Sequence, residues 1–288
     1  MLTSQKMPTR TRPLSHRILL VVGFGALAIV LTAVVGGIWT ALLSINLAVT
    51  PAIPWAVVVM ALLLWLLWRY LGGAGWPHST AEARRQSLRA RRVPGRVFLW
   101  AVVAGLLTIV ALAGLWIVLF QFAHLPGRAL PDYSRYPLVT IALALVMASL
   151  VGAVTEEAAF RGYFQGILEE PVGGMAAILI TALVMAPEHA LTQGFIWPIL
   201  LFYLVVDVML GATAFLTQSI LPGIVTHGIG LLVFFTLVWP GDVIRQVVWG
   251  GSTEQWFWLH GAQTLVFAVL ATLAFIRLAR ISRQPQGA

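Results

Sequence analysis

From Ile18 to Leu278 the chain is a succession of long apolar runs, parted by short stretches that hold most of its arginines. About 20 such residues make a helix long enough to cross the hydrocarbon of a bilayer. Within that hydrocarbon every backbone polar group has to be satisfied inside its own segment, which selects helices. The expected fold is all-α, a polytopic transmembrane helical bundle of about eight helices. The expected spans run from Ile18 to Ala48, Trp55 to Tyr70, Val97 to Phe122, Pro137 to Leu168, Gly173 to Leu191, Trp197 to Leu216, Ser219 to Trp239 and Trp256 to Leu278. With 60% hydrophobic and 10% charged residues in 288, little chain is left for a large soluble domain. The absence of cysteine excludes disulfides, thiolate metal ligands and a cysteine nucleophile.

The net charge of +8 is nearly all arginine and is clustered. Lys6, Arg10, Arg12 and Arg17 precede the first run. Arg84, Arg85, Arg89, Arg91, Arg92 and Arg96 face a single Glu82 in the stretch from Gly72 to Arg96, and Arg277, Arg280 and Arg283 close the last run. The positive-inside bias accounts for this pattern, with no nucleic-acid partner needed. It places both termini, the arginine-rich stretch and the Glu169-Glu170-Pro171 turn on the cytoplasmic side, with anionic lipid headgroups as natural neighbours of the arginines. Ala26-Leu27-Ala28 is a weak signal-cleavage match, but the run is too long for a signal peptide, so a retained first helix is expected. Three regions follow: 1–136, three helices with the basic loop; 137–240, a helical core bearing the chemistry; and 241–288, a last helix and basic tail. A bacterial cytoplasmic membrane is the expected location.

The fourth run ends in Thr155-Glu156-Glu157-Ala158-Ala159-Phe160-Arg161-Gly162, two adjacent carboxylates and an arginine where hydrocarbon is expected. Each unpaired charge there costs several kcal/mol, so such residues are retained for structure or for chemistry. On a helix, Glu157 and Arg161 stand at i, i+4 in the favourable order, whereas Glu156 points about 100° away. That spacing ties Glu157 to Arg161 and leaves Glu156 facing a site. His189 and His227 fall on two other spans at similar depth, as in a site assembled between helices. A carboxylate drawn into such a site can serve as a general base, and an imidazole can orient water or donate to an oxyanion. Glu and His are also acceptable zinc ligands, so Glu156, His189 and His227 would make a three-ligand site with a place left for water. The cofactor stays open: a divalent metal such as zinc, or none.

Plainer roles are available to each residue. Glu157–Arg161 can be a structural ion pair, and a membrane histidine can be an interhelical hydrogen-bonder. Glu188 can be a satisfied polar neighbour where Pro187 opens the helix. Asp207 can pair with Arg161 or a histidine, or be purely structural. Asn46 is expected outside the core. His78 is read as a solvated loop residue, His124 and His260 as interfacial, and Tyr163 and Phe164 as packing.

The motif resembles that of the CPBP intramembrane proteases, the CAAX-protease and bacteriocin-processing (Abi) family that includes the Ras-converting prenyl endopeptidases. The resemblance spans about Leu138 to Val233. The family's Glu-Glu-x-x-x-Arg stands complete as Glu156-Glu157-Ala158-Ala159-Phe160-Arg161, followed by Gly162 and Tyr163. Its Phe-x-x-x-His reads Met185-Ala186-Pro187-Glu188-His189, and its His-x-x-x-Asn reads His227-Gly228-Ile229-Gly230-Leu231, with leucine in place of asparagine. The resemblance implies that Glu156 and His189 activate water, that His227 stabilises the tetrahedral intermediate, and that Glu157 and Arg161 support them. Leu231 supplies no oxyanion donor, which implies weakened activity unless a backbone N–H or Gln193 substitutes.

The resulting expectation is an intramembrane endopeptidase, glutamate- or metal-dependent, working in a cavity open toward the cytoplasm. Its partners would be the lipid bilayer and a membrane protein, lipoprotein or peptide substrate. The alternatives are a catalytically impaired scaffold or immunity protein of the same fold, and a membrane transporter.

Overall fold

The computed structural model describes residues 14–123, 133–244 and 255–283. Lys6, Arg10, Arg12, His124 and Asp132 lie outside the described residues. The elements are α1 (Leu14–Val49), α2 (Trp55–Leu71), α3 (Ala81–Leu88), α4 (Gly95–Phe120), α5 (Leu138–Glu156), α6 (Gln165–Val172), α7 (Gly174–Gln193), α8 (Trp197–Thr217), α9 (Leu221–Val233) and α10 (Gln255–Ser282). A π-helical segment, Glu157–Phe164, joins α5 to α6, so that Leu138–Val172 is one rod of 35 residues. A second, Phe234–Val238, extends α9.

Among the described residues seven helices are long and apolar enough to cross a membrane. The chain is an integral, multi-pass membrane protein. The second expected span is the exception to the count of eight. It is a helix of 17 residues, Trp55–Leu71, opened late by Pro51 and Pro54 and closed early by Gly72-Gly73. Asn46 is buried and closes the turn before it: Nδ2 donates to Thr50 O and Ile53 O, and Oδ1 accepts from Ala56 N. A polar side chain inside the core here satisfies backbone groups that the turn would leave open, which corrects the expectation that it lies outside.

The apolar residues left exposed, such as Leu19 and Val22 of α1 and Leu265 and Val269 of α10, form the outer surface. The bundle interior holds the polar residues instead: Glu157, Arg161, Gln165, Asp207 and His227 are all buried. Short connections at Gly173, at 194–196 and at 218–220 make α6 to α9 successive antiparallel neighbours. They define two ends. The basic end carries the arginine-rich segment, Glu169 and Gln218; the far end carries Gln193, Trp197 and Trp239.

The arginine-rich segment is built into the fold. Arg84 is buried and donates to the carbonyls of Tyr70, Ala74, Gly75 and Pro77, folding the loop around itself. Arg89, in the left-handed conformation (φ 55°), pairs with Glu169 at 2.8 Å and donates to Gln218. These two are structural, while Arg85, Arg91, Arg92 and Arg96 are exposed. His78 is exposed as well, and Tyr163 and Phe164 pack as expected.

Candidate active site

The carboxylate motif begins where the helix changes register. From Glu157 to Phe164 the backbone follows a π-helix, a local widening that recurs at functional sites. Gly162 faces the arginine-rich segment so closely that a Cβ there would sit 2.9 Å from Leu88 O. The next residue fastens the same contact, because the Tyr163 hydroxyl lies 3.2 and 3.1 Å from Leu71 O and Arg84 O, which share its one proton.

Arg161 is fully buried. Its Nη2 meets Asp207 Oδ1 at 2.7 Å, and its Nη1 lies 3.5 Å from Glu157 Oε1. The expected Glu157–Arg161 pair is therefore present, but Asp207 is the closer partner. The widened π turn spoils the i, i+4 alignment that an α-helix would give. Nη1 also meets Met185 Sδ at 3.0 Å, so the thioether occupies the arginine's flank where the resemblance has phenylalanine.

Glu157 reaches further than its arginine. Its Oε1 lies 3.1 Å from His227 Nδ1; a carboxylate only accepts, so that nitrogen carries the proton. Its Oε2 rests on the first turn of α9, where a Cβ on Gly223 would stand 2.5 Å away. A helix N-terminus favours negative charge there. The other ring nitrogen, His227 Nε2, lies 3.5 Å from Glu156 Oε2, so one imidazole bridges the two glutamates.

Glu156, His189 and His227 all line one cavity of about 320 Å³, with Asp207, Gln193 and Tyr203. Its remaining wall is mostly apolar, including Phe202, Phe234 and Trp239. Glu156 Oε2 is buried against His227 Nε2, at a distance long for a hydrogen bond, while the side chain as a whole lines this space. The ring of His189 stacks on Tyr203 at 3.8 Å with 14° between the planes, and Gln193 Nε2 donates to the Tyr203 hydroxyl. Leu231 lines the cavity and lies over Gly152, where a Cβ would meet its Cδ1 at 2.7 Å.

Tyr203 was not singled out from the sequence. The signal was there: Tyr203 precedes Asp207 by four residues and Gln193 follows His189 by four, each on the same helix face. Glu188 points elsewhere, accepting from Thr32 Oγ1 of α1 at 2.6 Å, and α7 runs unbroken across Pro187. His260 is half-buried and bonds Gln263.

The cavity does not lie toward the basic end, as the expectation of a cytoplasmic opening required. Its lining residues come from the opposite halves of the helices: 189 and 193 of α7, 202–210 of α8 and 226–239 of α9 with its extension. The physical reason is the packing at the other end. Leu71, Leu88, Ala158 and Ile220 form an apolar cluster between the arginine-rich segment and the motif.

Among the described residues no three His, Asp or Glu side chains are grouped to hold one ion, so Glu156, His189 and His227 do not form a ligand set as they stand. Two of the three have other engagements: His227 is held between two carboxylates and His189 lies flat on Tyr203.

A family model described as type II CAAX prenyl endopeptidase, Rce1-like, matches residues 138–233. That range holds α5 to α9 and therefore Glu156, Glu157, Arg161, His189, Asp207 and His227. No curated protein and no solved structure matches the chain. Residues 138–233 are thus similar to the CPBP/CAAX family of intramembrane proteases, in agreement with the resemblance carried by the Glu156-to-Arg161 motif.

Proposed function

We propose that the protein is an intramembrane endopeptidase that hydrolyses a peptide bond of a membrane-embedded or lipid-anchored substrate with a water activated by Glu156. The observation that supports this is that Glu156, half-buried beside His227, lines one cavity together with both histidines. A water hydrogen-bonded to the Glu156 carboxylate would give up a proton to it as the water oxygen attacks the carbonyl carbon. His189, held flat by Tyr203, faces the same space and would orient the water. With Nδ1–H committed to Glu157, His227 would act as an imidazolium, turning its Nε2–H from Glu156 to the developing oxyanion. Glu156 then passes its proton to the leaving amine as the C–N bond breaks, leaving a carboxylic acid and an amine. Arg161 and Asp207 hold Glu157, and through it His227, in place.

Leu231 carries the second reading, an impaired member of the family. It sits in the cavity wall and can donate nothing to an oxyanion, and a lost donor costs roughly 100- to 1,000-fold in rate. One experiment addresses both readings. Purified protein in nanodiscs is incubated with a library of membrane-spanning and lipidated peptides, and products are read by mass spectrometry. Cleavage by the unaltered protein that Glu156→Gln lowers by 100-fold or more supports the peptidase, since general acid–base catalysis contributes about that much. Equal cleavage by both proteins overturns it.

A further inference from the structure

The arginine-rich segment forms a floor behind the motif. It is held by Arg89 on Glu169 and Gln218, by Leu88 O against Gly162, and by Ser219 Oγ donating to Arg91 O at 2.6 Å. Between this floor and the last turn of α2 lies a second cavity, of about 420 Å³, separate from the one that holds Glu156. Its wall includes Trp68 and Gly72 of α2, Arg85 and Gln86 of α3, Leu88 and Arg91. The cations in that wall are the informative part. Arg84 and Arg89 are buried and hold the fold, whereas Arg85 and Arg91 are exposed. Arg91 has both backbone polar groups bonded, N to Arg89 O and O to Ser219, yet its side chain makes no ion pair among the described residues. Arg85 meets Glu82, the one carboxylate in the wall, at 3.2 Å. Both side chains of that pair are well exposed, so water and salt weaken it.

From this geometry we infer that the second cavity binds the phosphate ester of an anionic phospholipid, with Arg85 and Arg91 as its ligands. Two guanidinium groups on one wall suit phosphate, whose oxygens accept their N–H groups in pairs. The volume is that of a small-molecule site and exceeds what a lone ion needs. The surroundings favour a lipid over a free phosphate. Trp65, Trp68 and Gly72 stand at i, i+3 and i+7 and share one face of α2. Val58, Leu62 and Trp65 of that helix belong to the exposed apolar surface, which passes into the cavity wall at Trp68. Arg69 lies over Trp65, 5.1 Å from the ring centre, and adds a third cation at this depth. Trp76, exposed in the loop after α2, is a further side chain suited to the headgroup layer. Acyl chains then lie along Val58, Leu62 and Trp65 while the phosphate sits between the arginines. Basic loops attract anionic lipid diffusely in any membrane protein; here the cavity turns that attraction into one site. The site backs onto the motif, because Leu88 lines the cavity and also packs with Ala158 in the apolar cluster. A bound headgroup therefore braces the floor. None of this requires the first cavity to be catalytic.

The test titrates dioleoyl phosphatidylglycerol into the full chain in detergent and counts bound lipid by native mass spectrometry. The unaltered protein is compared with Arg85→Gln/Arg91→Gln and with Arg277→Gln/Arg280→Gln. The second pair removes the same charge from exposed arginines of α10. Leu278 and Ile281 of that helix pack on Val97 and Ala101 at the start of α4, so the pair lies at the same end of the bundle. The expected result is that the tightest lipid binds about fivefold or more weaker to Arg85→Gln/Arg91→Gln, and within about twofold of the unaltered protein to the α10 pair. Glu82→Gln, which frees Arg85, is expected to bind it at least as tightly as the unaltered protein. Equal weakening in both double variants, or in neither, overturns the inference. Displacement of the lipid by equimolar glycerol phosphate would assign the cavity to soluble phosphate esters and overturn the lipid assignment. A second readout needs no variant: phosphatidylglycerol should raise the thermal unfolding midpoint of the unaltered protein, and phosphatidylcholine, which carries no net charge, should not. An equal rise with both lipids counts against the site.

Discussion

Two residues beside the paired glutamates set how much chemistry the site can deliver. Leu231 occupies the cavity wall where the resemblance has asparagine. Leu231→Asn restores a donor, and the expected outcome is a rise of about tenfold or more in cleavage rate in nanodiscs, within what one oxyanion donor contributes. An unchanged rate would mean that another group, such as Gln193 or Tyr203, already fills that role. Gly223 is a stricter case. A Cβ there would stand 2.5 Å from Glu157 Oε2, and the carboxylate cannot retreat without leaving His227 or Arg161. Gly223→Ala is expected to destabilise by about 1–3 kcal/mol, as overpacking does, and to depress cleavage, both read on the same preparation by thermal unfolding and peptide turnover. Glu156, Glu157 and Arg161 were legible as a unit because charge inside an apolar run has few reasons to persist. The bridging of both glutamates by His227 was not legible, since 70 residues separate Glu157 from His227.

At the scale of elements, the π segment Glu157–Phe164 and the arginine-rich segment act together. The first widens the helix so that its arginine turns to Asp207 on α8, and the second packs on Gly162 and Tyr163 behind it. Asp207→Asn removes the closest partner of a fully buried guanidinium. Breaking such a pair costs about 3–5 kcal/mol, so the denaturation midpoint is expected to fall markedly, with cleavage lost in proportion to folded protein. Arg89→Ala unfastens the floor from Glu169 and Gln218. A loss of roughly 1–3 kcal/mol is expected, visible as faster hydrogen exchange across α3 while α10 is unchanged. Helix existence was readable from the apolar runs, and the rod through the motif was expected to Leu168 and continues to Val172. The π geometry left no compositional mark. Nor did the roles of Arg84 and Arg89: six arginines in one stretch look alike until the fold buries two of them.

For the molecule as a whole, the governing contrast is between an apolar outer surface and a polar interior, with the site at their meeting point. The number of long apolar helices and their order followed from hydropathy, and the short α2 is where flanking prolines and glycines cut a run down. The side on which the cavity lies did not follow, because helical rise gives depth along each helix but not which end is packed shut. The most direct test of the central claim compares two carboxylates in the same membrane protein. Glu156 faces the cavity, whereas Glu188 bonds Thr32 on α1. Cleavage of one peptide in nanodiscs is measured for Glu156→Gln and Glu188→Gln beside the unaltered protein. The account predicts a loss of 100-fold or more for Glu156→Gln and a rate within a few-fold of the unaltered protein for Glu188→Gln. Equal rates for the two variants would contradict it.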